Sequence, residues 1–369
     1  MRNWLAVFLL GIILMMFLAC RDNEEPVSRD KNDFLAGGDI SMLTKIEELG
    51  GVFREKGKRH DFFDILKSYN CNCFRLRLFV NPNYENAVIN DLPYTVALGK
   101  RIKKAGMKLL LNFHYSDTWA DPGKQYKPAA WRDLDFDSLV TRVESYTKSV
   151  IIEFKNAGAL PDIVQIGNEV TPGMLWPEGK VGGEEDTERQ WERFTQLLKA
   201  GIRGVRATLG QRDAIRIMIH IDRGGDWPAT QWFFDNLNNH NVPFDMIGLS
   251  YYPSWHGSMD DVRNTLHETA MKYQKDILLV ETAYPFRGEK WWKDYRENMV
   301  WPISPEGQHD FLVDLVNTVR QTPEGRGIGV IWWYPESVPV KGLRVWNGGA
   351  TAWFDSLGNV LPVVKAFQQ

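Results

Sequence analysis

The chain has 369 residues, 44% of them hydrophobic and 12% aromatic, with a formal net charge of −3. That length suits one large α/β domain or two smaller ones. The near-balanced charge excludes the broad basic surface that nucleic-acid binding needs. Among the 15 tryptophans, several fall in loop-like stretches, such as Trp119 in DTWADPG and Trp255 in PSWHGS. Each alone is as well explained by core filling. Together they suggest a surface that stacks flat, partly apolar ligands.

Residues 1–20, MRNWLAVFLLGIILMMFLAC, set Arg2 before an apolar run shorter than a membrane span. The ending Leu18-Ala19-Cys20 resembles a bacterial lipoprotein signal, which implies that Cys20 becomes the lipid-bearing first residue. An ordinary signal peptide or N-terminal anchor is the alternative. Residues 21–33, RDNEEPVSRDKND, are polar and aperiodic, as a flexible tether is. Their acidic start is similar to the surface-export signal of Bacteroidetes lipoproteins. The expectation is an exported lipoprotein, held to the outer membrane and cell surface through Cys20.

From residue 34 to 369 no low-complexity linker intervenes, and a unit recurs: a short apolar strand, a polar or aromatic ending, a loop, then a helical pattern. The predicted strands are 34–41, 73–80, 108–115, 163–170, 216–222, 246–252, 277–284 and 329–335. Helical spacing marks 92–107, 139–158, 189–208, 260–274 and 309–322. Cys71 and Cys73 lie too close for an ordinary disulfide and lack further zinc ligands, so they read as small buried hydrophobes. Eight apolar strands alternating with helices predict a single (β/α)8 TIM barrel. A doubly wound open sheet is the runner-up, but Ala36-Gly37-Gly38-Asp39 is a poor match to a phosphate-binding glycine loop.

In such a barrel the C-terminal strand ends carry the chemistry. Here those ends hold Asp39, Arg75, Arg77, Asn112, His114, Asn168, Glu169, His220, Asp222, Ser250, Tyr251, Glu281, Trp332 and Trp333. Each is individually compatible with a helix cap or a loop tie. Glu169 and Glu281 stand out, because each follows an apolar run and strands four and seven can aim both into one cleft. Two carboxylates, one protonated and one ionised, are what retaining glycoside hydrolysis uses.

The motifs GGDISML, FRLRLFVNP, LNFHYSDTWADPGKQYKPAAW, IGNEVTPGMLWP, IMIHIDRGG, FDMIGLSYYPSWHG and ETAYPF, in that order, resemble the glycoside hydrolase family 53 endo-β-1,4-galactanases (arabinogalactanases). The likeness runs over nearly the whole chain after the tether. It implies a retaining enzyme that cleaves β-1,4-galactan or the type I arabinogalactan of pectin, with Glu169 as acid/base and Glu281 as nucleophile. It further implies sugar contacts from Asn168 (to the 2-hydroxyl), Asn112, His114, His220 and Trp333. Arg75 or Arg77 would keep Glu281 ionised, Tyr251 would donate to Glu281, and the Asp121, Gly123, Lys124 and Gln125 loop would shape neighbouring subsites.

Two departures from the family pattern are visible. Strand eight ends Trp332-Trp333-Tyr334-Pro335, where the family usually has Tyr-Trp-Glu-Pro. The loop after Glu281, PFRGEKWWKDYRENMVWP, lacks the Asp- and His-rich run through which several bacterial members bind calcium, so no metal or other cofactor is expected. The expected partners are galactan or arabinogalactan and, through Cys20, a membrane; the expected state is a monomer. Two alternatives remain: a related endo-glycanase acting on β-mannan or β-glucan, and a non-catalytic surface glycan-binding lipoprotein.

Overall fold

Eight parallel strands close on themselves in the computed structural model, which describes residues 34–288, 292 and 297–369. The strands are β1 (Leu35–Asp39), β2 (Cys73–Leu78), β3 (Lys108–Phe113), β4 (Ile163–Ile166), β5 (Arg216–Ile221), β6 (Met246–Ser250), β7 (Asp276–Thr282) and β8 (Gly327–Trp333). Each pairs with its sequence neighbours, and β1 seals the ring against β8. The barrel read from the sequence is the fold, and an open sheet is excluded. The N-terminal 33 residues, with Cys20 and the tether, lie outside the described residues.

Helices α1 (Leu43–Glu48) and α2 (Phe62–Ser68) follow β1, separated by a small antiparallel hairpin of Phe53–Glu55 and Lys58–His60. One helix then follows each of β2 to β7: α3 (Leu92–Lys104), α4 (Phe136–Asn156), α5 (Glu188–Arg206), α6 (Trp227–Asn239), α7 (Met259–Tyr273) and α8 (Pro305–Arg320). Their starts have a local cause. Asp91, Asp135, Thr187, Asp226, Ser258 and Ser304 each accept a hydrogen bond from a first-turn backbone N–H. The apolar faces, for example Leu139, Val143, Val150 and Phe154 of α4, pack into the layer between helices and barrel.

Inside the barrel the two-residue period of the strands sorts residues by height. A lower layer of Leu35, Cys73, Leu110, Ile163, Met218, Met246, Leu278 and Ile331 forms a separate apolar cluster. Two residues further along β1 to β6, the same inward face carries Gly37, Arg75, Asn112, Gln165, His220 and Gly248; one more step reaches Asp39, Arg77, His114, Asp222 and Ser250. The hydrophobic plug therefore sits beneath a polar floor. Cys73 belongs to the plug and Cys71 to the outer core, and both are free thiols.

Gly37 explains the Gly-Gly pair of β1 in terms of packing. A Cβ there would stand 1.8 Å from the backbone oxygen of Cys73 on β2. Gly37→Ala must push β1 from β2, and overpacking of this kind costs about 1–3 kcal/mol or more. The variant is expected to unfold at lower denaturant concentration than the parent, read by tryptophan fluorescence.

Candidate active site

The upper polar layer is built around two buried arginines. Arg75 and Arg77 have no exposed surface, nor has Asp39 between them. Arg75 Nη1 lies 3.2 Å from Asp39 Oδ2 and 2.7 Å from Glu281 Oε1. Its Nε donates to Gln165 Oε1 at 3.1 Å and its Nη2 to Asn168 Oδ1 at 2.7 Å. Arg77 donates to Asp39 Oδ1 at 3.2 Å and to the Tyr334 hydroxyl at 2.7 Å. Its guanidinium is packed over Trp119 and Tyr334, at 4.5 and 4.9 Å from their ring centroids. Of the two, Arg75 is the one that reaches Glu281.

Glu281 owes its position to an irregularity. Leu249 of β6 pairs with Leu279, but the next residue, Ser250, pairs with Glu281. Val280 is the extra residue of a bulge, and its side chain joins the apolar plug. The shift turns Glu281 to the inward face, where regular alternation would have put Thr282. Tyr252 donates a hydrogen bond to its Oε2 at 3.3 Å.

Glu169 reaches the same space by leaving its strand. The predicted strand 163–170 ends at Ile166. Gly167 (φ +79°) and Glu169 (φ +45°) take left-handed backbone conformations that stop the ladder. Gln125, itself buried, donates its amide to the backbone oxygens of Asn168 (2.8 Å) and Glu169 (3.2 Å), fixing this turn. Ser250 Oγ donates to Glu169 Oε1 at 2.7 Å, and His220 Nε2 lies 2.8 Å from the same hydroxyl.

Glu169 and Glu281 line one cavity of about 360 Å³, together with Trp119, Asp121, Asn168, Asp222, Tyr252 and Trp333. Their electrostatic settings differ. Burial, then the neighbouring charges of Glu281 and Asp222, push Glu169 well above the ordinary carboxylate range. Burial also raises Glu281, but Arg75 and the Tyr252 hydroxyl act against it. Burial, then Arg75, hold His114 and His220 well below the usual imidazole value, with Arg77 adding to the effect on His114, so both are neutral at pH 7.

The other residues expected at the site divide. Asn112 donates to Asn168 Oδ1 at 3.0 Å, beneath the cavity. His114 accepts at Nδ1 from the Ala120 backbone, and its buried Nε2 has no partner among the described residues. Trp333 lies on the cavity wall under both arginines, 5.6 Å from each. Asp121 lines the cavity and pairs with Lys124 at 3.1 Å, whereas Gly123 and Lys124 are absent from the walls. Tyr251 is a correction. Alternation with the inward Ser250 turns it outward into the core, where its hydroxyl donates to Gly257 O; Tyr252 takes the place at Glu281. Among the described residues no three His, Cys, Asp or Glu side chains gather to hold a metal; residues 289–291 and 293–296 of the loop after Glu281, including Asp294, lie outside the description.

The glycosyl hydrolase family 53 model matches residues 35–367. The chain belongs to glycosyl hydrolase family 53. A protein of Niallia circulans, described as an uncharacterized protein in the bgaB 5′ region, is 43% identical over 350 residues, covering 91% of this chain and 93% of its own. An arabinogalactan endo-β-1,4-galactanase of Cellvibrio japonicus is 32% identical over 357 residues, covering 92% of each chain. The solved GH53 catalytic domain of Ignisphaera aggregans superposes with a TM-score of 0.84 at 34% identity, over 93% of this chain and 98% of that one.

In this family 53 chain the sequence marked Trp119 only as one of several stacking aromatics, and Gln165, Tyr252 and Trp346 not at all as members of the site. Gln165 was hidden inside an apolar run, although it shares the inward face with Ile163 two residues earlier. Tyr252→Phe is expected to lower kcat about ten-fold by removing a hydrogen bond to a charged carboxylate. Tyr251→Phe should leave kcat within two-fold, as steady-state kinetics of the two variants would establish.

Proposed function

We propose that the chain is a retaining endo-β-1,4-galactanase acting on β-1,4-galactan and on the galactan of type I arabinogalactan, with Glu169 as acid/base and Glu281 as nucleophile. The observation that carries this reading is the pairing of two carboxylates in one cavity with opposed surroundings. Glu281 Oε1 rests on a guanidinium that favours its ionised form. Glu169 makes no ion pair among the described residues; burial, and then the two carboxylates it borders, outweigh Arg75 and favour its protonated form.

The steps follow from those states. Glu281 attacks the anomeric carbon while Glu169 protonates the departing glycosidic oxygen, giving a galactosyl ester on Glu281. Esterification removes the negative charge beside Glu169, so its pKa falls and it takes a proton from the water that releases the sugar. The Asn168 carbonyl oxygen is held by Arg75, Asn112 and Gln165, and its amide donates once to Ala120 O, leaving a second N–H for the sugar 2-hydroxyl. Trp333 supplies a flat apolar wall.

Internal cleavage is supported by a second cavity of about 530 Å³, which shares Trp119, Trp333 and Trp346 with the first. Two cavities that border the same three tryptophans offer aromatic surface for more than one sugar. The galactan assignment follows the named relatives, and no cofactor enters the reaction. We also propose that Cys20 is acylated, that residues 21–33 tether the barrel to the outer membrane at the cell surface, and that the barrel acts as a monomer.

Protein beginning at residue 21 should release a mixed ladder of oligomers from linear β-1,4-galactan. Glu169→Gln and Glu281→Gln should each reduce that release by at least about a thousand-fold, as loss of an acid/base or a nucleophile does. Release from mannan or carboxymethyl cellulose in place of galactan would move the substrate, and binding without release would leave a glycan-binding protein. The pH profile has a definite sign. Activity falls at low pH as Glu281 gains a proton and at high pH as Glu169 loses one, so the alkaline limb should lie well above the ordinary carboxylate range. In cells, Cys20→Ala should move the protein from the membrane fraction to the soluble one.

A further inference from the structure

The hydrogen bonds behind Glu169 form a chain that runs from Arg75 to its carboxyl group. Arg75 has donors only, so its Nε bond at 3.1 Å fixes Oε1 of Gln165. The Gln165 amide nitrogen, a donor only, therefore lies 3.0 Å from His220 Nδ1, besides Gly167 O at 2.8 Å and Asn168 Oδ1 at 3.1 Å, and against it Nδ1 can only accept. With Nδ1 accepting, the neutral imidazole carries its proton on Nε2 and donates to Ser250 Oγ at 2.8 Å. The Ser250 hydroxyl keeps its own proton, which it donates to Glu169 Oε1 at 2.7 Å. Arg75, Gln165, His220 and Ser250 are all fully buried. Arg75 also touches Glu281, so the same chain joins the two carboxylates.

We infer that Ser250, oriented by Arg75 through Gln165 and His220, is a positioning residue that occupies Oε1 of Glu169 as an acceptor and so confines the transferable proton to Oε2. A carboxylic acid with one oxygen accepting a hydrogen bond keeps its own proton on the other. The acid is thereby aimed before substrate arrives, and the ionised form returned after proton transfer is met by a donor already in place. The inference rests on Glu169 being the acid/base. The charged and titratable groups that also face Glu169 are Glu281 from β7, Asp222 beyond β5 with His256 beside it, Arg75 from β2 and Tyr252 beyond β6. Among the described residues, none of these groups hydrogen-bonds Oε1.

The test compares kcat/KM on β-1,4-galactan with kcat/KM on dinitrophenyl β-galactobioside, whose leaving group departs without an acid. Ser250→Ala should lose about ten-fold on galactan and less than two-fold on the aryl substrate, and its alkaline limb on galactan should rise by about one pH unit as the ionised form loses a donor. Ser250→Thr keeps the hydroxyl and should retain the parental ratio. Ser250→Cys fills the same space with a weak donor and should follow the alanine variant, which covers the case in which alanine packs badly. Equal loss on both substrates with an unmoved alkaline limb would overturn the positioning role. Glu169→Gln in the same assays separates the two ideas. If it keeps full activity on galactan, the acid/base assignment fails; if it loses galactan activity alone while Ser250→Ala behaves as the parent, only the relay fails.

Discussion

Everything in the site leans on the guanidinium of Arg75. A fully desolvated cation is tolerable only where anions and acceptors surround it. Arg75 meets Asp39 of β1, Gln165 of β4, Asn168 beyond β4 and Glu281 of β7. It thus ties together four residues from three strands of the ring. With Arg77 beside it, the polar floor holds two cations against Asp39 and Glu281. That balance is complete before Asp222 and Glu169 are counted, so an ionised Glu169 would add a negative charge beside Glu281 and Asp222. The division of labour between the two glutamates follows from where the arginines sit.

Arg77 has a different task. It touches Glu281 nowhere among the described contacts; it bonds Asp39 and Tyr334 and fills the space between Trp119 and Tyr334. This gives a physical meaning to the unusual ending of β8. Tyr334 stands where the family pattern has a glutamate, and a neutral phenol accepts from Arg77 without adding charge to the floor. Two residues later Glu336 is buried and receives the Met42 backbone N–H at 3.0 Å. Burial, with Asp39 nearby, pushes it up to about 8, so it too adds no charge at neutral pH.

Much of this was legible in the sequence because a barrel strand is simple. Apolar runs at near-regular spacing carry the fold, and polar residues at their ends mark the catalytic face. Glu169, Glu281 and Asn168 could be picked out on that basis. What stayed hidden came from departures from regularity. The bulge at Val280 decides which of two neighbours faces inward, and nothing in ILLVETAY announces it. The left-handed turns at Gly167 and Glu169 shorten a strand that reads as eight residues. Tyr251 and Tyr252 are adjacent and chemically alike, so only the phase of alternation, set by Ser250, distinguishes them. Gln165 was masked by the apolar residues around it, although the phase running from Ile163 would have placed it inside. Helix α6 was passed over because its stripe is diluted by Thr230, Gln231 and Asn236, while its start is marked by Asp226 and Pro228.

The central claim is that Arg75 keeps Glu281 ionised as the attacking group while Glu169 keeps its proton. Its most direct test is covalent trapping. The protein is incubated with a 2-deoxy-2-fluoro β-galactobiosyl fluoride, whose fluorine slows release of the glycosyl enzyme, then digested and mapped by mass spectrometry. The account predicts one added glycosyl unit per chain, on the peptide containing Glu281. A label on Glu169, or turnover with inverted product and no trapped ester, would contradict it.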